Sequence, residues 1–180
     1  MKKIALIGMM GSGKSEIGSL LASNYGIDFI DMDRAIEEHT KTTIPTIFRD
    51  FGEEHFRDLE QNQLALMAVS FSSLVLSCGG GIVLRDSNRL ILRDSFLTIW
   101  LDVSITELKR RLQNQRHRRP LLLSDEWESQ IEEIYRQRLS LIHISEPTRL
   151  LSISYAVFCL KKKNNNIKII SLSLIHTSEI

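Results

Sequence analysis

The sequence predicts an α/β protein with three layers, in which helices cover both faces of a central parallel sheet. Along the chain, short apolar segments that fit strands alternate with longer segments of helical periodicity. The glycine-rich segment Gly8–Ser15 follows the first apolar segment directly and has the pattern G-x-x-x-x-G-K-S. A strand, a loop of this kind and a helix in that order are typical of phosphate-binding sites in parallel α/β proteins.

The composition is that of one soluble globular domain. The chain has 180 residues, of which 43% are hydrophobic and 25% charged, with a formal net charge of +1. This balance gives no argument for nucleic-acid or membrane-surface binding. Cys78 and Cys159 lack zinc or disulfide-framework spacing, and we find neither a signal peptide nor an apolar run that would span a bilayer. We therefore expect a cytoplasmic protein without nucleic-acid or membrane partners.

The first strand is predicted at residues 3–7, and a helix is predicted to begin within the phosphate loop. Glycines let the loop turn its backbone N–H groups toward phosphate oxygens, and the helix adds the positive end of its dipole. Lys14 would reach the terminal phosphates, and the Ser15 hydroxyl would ligate magnesium. The alternative, a glycine-rich turn that contains a lysine by chance, is disfavoured because every fixed position is filled. The predicted nucleotide-binding residues here are Gly11, Ser12, Gly13, Lys14, Ser15 and Glu16.

A second short strand is predicted within residues 27–33, with Asp31 and Asp33 at its carboxyl end. This edge of an open parallel sheet is where ligands bind, and alternate residues of a strand face the same side. One carboxylate would hold magnesium through water, and the other would orient a substrate hydroxyl or accept its proton. The alternative is that both are turn and cap residues before the next helix, and spacing alone does not separate the two.

Helical periodicity covers residues 34–68, and Gly52 divides it into two helices. The residues predicted to face the core are Ile44, Ile47, Phe48 and Phe51 before the glycine, and Phe56, Leu59, Leu64 and Met67 after it. Arg57 and Glu60 have the i, i+3 spacing of a helical ion pair. On spacing alone, a surface salt bridge is the favoured interpretation for Arg57.

Two further core strands are predicted at residues 73–78 and 96–102, with a helix at 86–93 between them. The first of these strands ends in Gly79, Gly80 and Gly81. Three glycines at that point indicate close approach of the backbone to a phosphate, a substrate or another chain segment. Cys78 is expected to be a small buried residue and not a nucleophile.

A helix at residues 105–112 leads into an arginine-rich segment that ends at Pro120. This segment could be a nucleic-acid patch, a solvated helix end or a mobile lid. We favour a lid, because a phosphoryl-transfer site must exclude water and neutralise charge on the transferred group. The last helix is predicted at residues 127–138.

Together these motifs resemble those of the shikimate kinases, small kinases with a phosphate-binding loop. The matching segments, in chain order, are Gly8–Ser15, Asp31–Asp33, Gly52–Glu60, Gly79–Gly81 and Arg119–Leu122. The resemblance implies ATP-dependent phosphorylation of the shikimate 3-hydroxyl, in the synthesis of chorismate and aromatic amino acids, by a cytoplasmic monomer that uses Mg²⁺. A gluconate kinase is the alternative within this class, but it would not need the second polar cradle that Arg57, Arg138 and the glycines supply.

The resemblance also implies a role for each matching residue. The implied catalytic residues are Lys14, Asp33 and Arg119, and the implied shikimate-binding residues are Asp33, Arg57, Gly79, Gly80, Gly81 and Arg138. Two arginines suit a carboxylate because each guanidinium can donate two parallel hydrogen bonds to it. Magnesium would be held by Ser15 and, through water, by Asp31. Arg119 would also contact the nucleotide, and Arg111 is the candidate for stacking on adenine, although its alignment needs a one-residue gap.

Beyond Arg138 the family resemblance ends, and residues 139–180 resemble translated sequencing adapter. Leu139–Glu146 recurs at Leu172–Glu179 with one change, and a run of lysines and asparagines lies between the copies. We therefore expect a kinase domain at residues 1–138 that lacks its native C-terminal part, followed by a non-native tail at 139–180. Such a chain would fold poorly, and it could bind nucleotide without turnover. The alternative is a divergent native C-terminus with a strand at Tyr155–Cys159.

Overall fold

The computed structural model describes residues 3–113, 120–122, 124–144, 150–154, 161–163 and 166–168. Its centre is a parallel sheet with the strand order β2-β3-β1-β4-β5. These strands are β1 (Lys3–Ile7), β2 (Phe29–Asp31), β3 (Leu74–Ser77), β4 (Leu97–Asp102) and β5 (Leu150–Ser154). The helices are α1 (Lys14–Tyr25), α2 (Met32–Thr40), α3 (Ile44–Ser70), α4 (Asp86–Ser95), α5 (Ile105–Leu112) and α6 (Trp127–Ile144), with short 3₁₀ turns at Ile82–Leu84 and Pro120–Leu122.

The alternation of side chains along the strands produces the three predicted layers. On one face, Leu6, Val75 and Ile99 pack against Ile17 and Leu21 of α1. On the other face, alternate strand residues pack beneath α2, α3, α4 and α6; they are Ala5, Ile7, Leu74, Leu76 and Trp100. Both faces of the central strands are buried, as expected for a parallel sheet. The predicted α/β/α architecture is confirmed.

Two helices divided at Gly52 were predicted over residues 34–68, and the structure divides this region once more, where the chain turns between α2 and α3. Lys41 ends α2 with φ = 53°, in the left-handed region. Gly52 has φ = 83° and ψ = 173°, so it interrupts α3 as predicted, and an added Cβ would strain this backbone. Phe51 was predicted to face the core, but it is 62% exposed and lies against His55. That prediction is wrong because helical spacing stops specifying direction at the last turn before a kink.

Helix α6 continues past Arg138 to Ile144, and Ile142 is buried in the core beneath the sheet. Strand β5 then pairs in parallel with β4, from Thr98 opposite Leu150 to Asp102 opposite Ser154. Neither the continuation of the helix nor β5 was predicted. The alternative strand at Tyr155–Cys159 lies outside the described residues. A short antiparallel pair, β6 (Lys161–Lys163) and β7 (Asn166–Lys168), completes the described chain.

No helix in the described part of the chain combines the length and apolar character needed to cross a bilayer.

Candidate functional site

The phosphate loop links β1 to α1 and is shaped by glycines that require positive φ. Gly8, Gly11 and Gly13 have φ values of 146°, 80° and 88°. The Lys14 Nζ folds back over the loop and donates to the carbonyl oxygens of Gly8 and Met9, each at 2.9 Å. Because Lys14 is buried within the loop, its cation and the N-terminus of α1 both act on the space that the loop surrounds.

Next to the loop, oxygen atoms from three elements converge. The Ser15 hydroxyl donates to Asp31 Oδ2 and lies 3.3 Å from the Ser77 hydroxyl. Asp31 and Ser77 are opposite each other in the β2–β3 pairing, which brings them to the same edge of the sheet. Two hydroxyls and a carboxylate form a donor set of the kind that Mg²⁺ prefers. The residues present therefore fit a magnesium ion.

One of the two interpretations placed Asp31 and Asp33 at alternate positions along a strand. The structure does not have this arrangement. Asp31 is the N-cap of α2, and its Oδ1 accepts from the backbone N–H groups of Asp33 at 3.1 Å and Arg34 at 3.4 Å. Asp33 lies in the first turn of that helix. The cap geometry prevails because free N–H groups at a helix start need acceptors. Both carboxylates nevertheless line the cleft beside the loop.

This first cleft has a volume of about 680 Å³ and is lined by the loop, both aspartates, Arg110 and Arg111. Arg111 donates to the Gly11 carbonyl oxygen at 3.2 Å and to Glu107 at 2.7 Å. Hydrogen bonds from Arg110 and Arg111 lower the pKa of Glu107 to about 2. Arg111 is thus fixed beside the loop, where a nucleotide base or phosphate would come within its reach. Arg119 lies outside the described residues.

A second cleft of about 270 Å³ adjoins the first. One wall is apolar and consists of Ile44, Pro45, Phe48, Phe56 and Leu121. The rest of the lining includes Asp33, Arg57, Glu60, Arg138 and the three glycines that follow β3. Met10, Asp33 and Gly80 line both clefts. The two spaces therefore meet at Asp33.

Arg57 and Glu60 form a buried ion pair and not the surface pair favoured on spacing alone. The Arg57 Nη1 lies 2.6 Å from Glu60 Oε2, and their side chains are 7% and 0% exposed. Burial raises the pKa of the Glu60 carboxyl, although the Arg57 charge opposes this shift. Burial also disfavours the Arg57 charge, but the carboxylates of Glu60 and Glu53 outweigh it, so the pKa of Arg57 is raised. Arg57 is therefore charged and held toward the cleft.

Arg138 faces the same cleft from α6 without a carboxylate within ion-pair distance among the described residues. It is 4% exposed, and its Nη1 lies 3.8 Å from the Met9 sulfur. Burial, together with repulsion from Arg57, lowers the pKa of Arg138 to about 10. A buried cation in this state gains from an anionic partner, and a carboxylate that enters the cleft would supply one.

The three glycines after β3 are required by space and not by backbone angle, since their φ values are not positive. A Cβ on Gly81 would lie 2.6 Å from the Cζ of Arg57. A Cβ on Gly79 would overlap Glu60 and lie 3.0 Å from Asp33 Oδ1, and one on Gly80 would lie 3.1 Å from Arg138 Nη1. The predicted close approach is confirmed, and the partners are charged side chains from three helices.

The structure brings together every predicted site residue that it describes. Sequence reasoning missed Ser77 and the apolar wall of the second cleft, and it treated Glu60 only as a partner of Arg57. Ser77 could have been found from the pairing of β3 with β2, which places it beside Asp31. Cys78 is 2% exposed, and burial raises the pKa of its thiol, so the expectation of a small buried residue is confirmed.

Comparison with known proteins points to one family. A family model described as shikimate kinase matches residues 10–150. A shikimate kinase of Synechococcus elongatus is 44% identical over 133 residues, which cover 74% of this chain and 68% of that protein. One of Thermodesulfovibrio yellowstonii is 40% identical over 141 residues, with coverages of 78% and 80%. The solved structure of Acinetobacter baumannii shikimate kinase in complex with shikimate superposes with a TM-score of 0.79 and 31% identity, covering 85% of this chain and 83% of that chain.

Proposed function

Since the chain belongs to the shikimate kinase family, we propose that its two clefts are the ATP and shikimate sites of one phosphoryl-transfer centre. The reaction is the ATP-dependent phosphorylation of shikimate, in which the terminal phosphoryl group moves to a shikimate hydroxyl. The phosphate loop assigns ATP to the larger cleft, and the buried arginines assign shikimate to the smaller one. The observation that carries this assignment is that Asp33 lines both clefts.

In this proposal, Arg57 and Arg138 bind the shikimate carboxylate. Both guanidiniums are buried, so their hydrogen bonds to a carboxylate would form away from competing water. The Glu60 carboxylate holds Arg57 in place from behind. The apolar wall of Phe48 and Phe56 would cover the carbon ring. These contacts fix the acceptor before phosphoryl transfer, and positioning of this kind is a large part of phosphoryl-transfer catalysis.

Asp33 then orients the hydroxyl that is to be phosphorylated. Its place where the clefts meet puts a carboxylate within reach of a hydroxyl directed at the phosphate loop. As the new O–P bond forms and the bond from the phosphoryl group to ADP breaks, the hydroxyl proton passes to Asp33. Lys14 stabilises the charge on the transferred group from the loop. If the arginine-rich segment is a lid, as its sequence predicts, Arg119 would add a second cation from it.

Ser15 and Asp31 are the residues that would hold magnesium, with Ser77 as a further oxygen donor beside them. The ion would neutralise charge on the phosphates when it is bound. Replacement of Asp31 by Asn should raise the magnesium concentration that is needed for half-maximal binding of an ATP analogue. An unchanged requirement would remove Asp31 from the metal site.

The proposal is tested by coupled measurement of ADP release with and without shikimate. Turnover should depend on shikimate, should not be supported by gluconate, and should fall by at least about 10²-fold in Asp33→Asn. Asp94→Asn is a matched control, because Asp94 forms a surface pair with Arg93 and lines neither cleft. If the protein binds ATP but shows no shikimate-dependent release of ADP, only the assignment of the nucleotide site would be retained.

We also propose that residues 1–138 form the kinase domain and that 139–180 is a non-native tail. The octet repeat and the resemblance of the tail to translated sequencing adapter support this division. The pairing of β5 with β4 is compatible with it, because an open strand edge accepts any extended apolar segment. From the family resemblance we also propose that the protein is a cytoplasmic monomer. Light scattering of the purified chain would test whether it is monomeric.

A further inference from the structure

We propose that Asn88 and Arg89, at the start of α4, are positioning residues for the shikimate cleft. Neither residue lines either cleft. Both act on the 3₁₀ turn Ile82–Leu84, which follows the triple glycine directly. The inference rests on the proposed assignment of the glycines to the shikimate site.

Side chains of α4 supply hydrogen-bond donors to every carbonyl oxygen of this turn. The Asn88 Nδ2 donates to the Ile82 oxygen at 3.1 Å. The Arg89 Nη1 donates to the Val83 oxygen at 2.6 Å and to the Leu84 oxygen at 3.3 Å. Asn88 is 1% exposed, so its bond is made in the interior, where an unpaired carbonyl oxygen would be costly.

The other side of the turn is bonded to the glycines themselves. The Ile82 N–H donates to the Gly79 oxygen at 3.2 Å, and the Leu84 N–H donates to the Gly81 oxygen at 3.0 Å. The turn is therefore held between the glycine carbonyls and the two side chains of α4. Through it, the direction of the backbone at Gly79–Gly81 is coupled to α4.

The same stretch is also fastened to α3, which carries Arg57 and Glu60. Arg85 donates to Asp58 Oδ1 at 2.7 Å and to Gln61 Oε1 at 3.2 Å. The Ser87 hydroxyl donates to Gln61 Oε1 at 2.9 Å. Because α3 is held by these separate contacts, loss of the Asn88 and Arg89 donors would release the glycine turn while Arg57 stays in position.

A released turn would change the approach of the glycines to Asp33, Arg57 and Arg138, which lie so close that a Cβ at Gly79 or Gly81 would have no room. Small displacements of positioning groups have large kinetic effects. The effect should fall mainly on shikimate, because only Gly80 of the three glycines also lines the nucleotide cleft and the phosphate loop belongs to β1 and α1. A residue needed only for stability would instead lower the active fraction and leave both KM values unchanged.

The experiment compares Arg89→Met, which keeps the aliphatic stem, with Arg89→Lys, which keeps one donor. Arg93→Met is the matched control, since Arg93 lies on the same helix and pairs only with Asp94 among the described contacts. Asn88→Ala tests the second donor independently. Each variant is made in the 180-residue chain and in the same chain with residues 139–180 exchanged for the C-terminal segment of the Synechococcus elongatus relative.

We expect Arg89→Met to raise the KM for shikimate by about tenfold and to leave the KM for ATP within twofold. Arg89→Lys should recover most of that loss, Asn88→Ala should shift the same KM, and Arg93→Met should behave as the parent. Equal changes in both KM values, or no change in either, would overturn the inference while the parent still turns over shikimate. If the parent with the exchanged C-terminal segment showed no shikimate-dependent turnover, the proposed function would be overturned, and the inference with it.

Discussion

The Arg57 guanidinium and the Glu60 carboxylate lie 2.6 Å apart, with the glutamate side chain wholly inside the protein. The two residues are one helical turn apart on α3, so the helix itself sets their separation. Glu60 lies against Gly79 as well as Arg57, and both side chains line the second cleft, which we propose binds shikimate. The pair therefore fixes the direction of one cation of the proposed substrate site.

Replacement of Glu60 by Ala should destabilise the protein by about 3–5 kcal/mol, because it leaves the Arg57 charge buried without this partner. Urea unfolding measures the change. Glu53→Ala is the control, since Glu53 pairs with the same arginine but its side chain is 46% exposed, and it should cost at most about 1 kcal/mol. Equal costs for the two variants would show that burial does not distinguish the two pairs.

Replacement of Gly81 by Ala should raise the KM for shikimate by at least about tenfold and leave the KM for ATP unchanged. The added methyl group would occupy the space of the Arg57 guanidinium and displace it from the cleft. Steady-state kinetics with each substrate varied in turn provides the measurement. Gly26→Ala, in the open C-cap of α1, should affect stability alone, and a normal shikimate KM in Gly81→Ala would contradict the predicted clash.

Shikimate binding should weaken above about pH 10, because the protonated form of Arg138 binds the carboxylate and its pKa is lowered to about 10. The dissociation constant should double at that pH and then rise about tenfold per pH unit. The same deprotonation removes a buried charge, so this group's contribution to stability rises as the pH goes from about 10 toward its ordinary, higher pKa. Deprotonation of Arg138 does not favour unfolding, so a loss of shikimate binding in this pH range would not be explained by unfolding due to this residue.

Quenching of tryptophan fluorescence by shikimate, measured from pH 8 to 10.5, provides the dissociation constants. In Arg138→Lys the weakening should begin at lower pH, since an ammonium group has a lower ordinary pKa than a guanidinium. A constant affinity over the whole range in the parent would show that Arg138 does not titrate there.

Exchange of residues 139–180 for the C-terminal segment of the Synechococcus elongatus relative should raise the melting temperature by more than about 5 °C. Native core area contributes about 25 cal/mol per Å², against a net stability of only about 5–15 kcal/mol. Calorimetry and shikimate-dependent ADP release should both improve. Unchanged melting and turnover would identify residues 139–180 as native structure.

Much of the fold was predictable because it depends on local patterns. The Gly8–Ser15 loop, the break at Gly52 and the helix Ile105–Leu112 all follow from short-range rules that the structure confirms. The edge of the sheet that carries Asp31 was also predictable, since parallel strands bind ligands at their carboxyl ends.

The remaining features depend on contacts between distant parts of the chain. Asp31 is a helix cap as well as a site residue, and sequence spacing fits both interpretations. Burial of the Arg57–Glu60 pair depends on how α3 packs over the glycine turn, and the same i, i+3 spacing occurs at exposed pairs such as Arg110 and Glu107. Ser77 becomes a site residue only through strand pairing.

The clearances around Gly79–Gly81 also limit how this site can change over evolutionary time. A side chain at Gly79 would overlap Glu60 and one at Gly81 would overlap Arg57, both on α3. A tolerated replacement would therefore require simultaneous compensating changes in segments far apart in the sequence, and single-step mutational paths out of the tripeptide are closed. The three positions should thus accept substitutions in concert with their neighbours on α2, α3 and α6, and resist them one at a time.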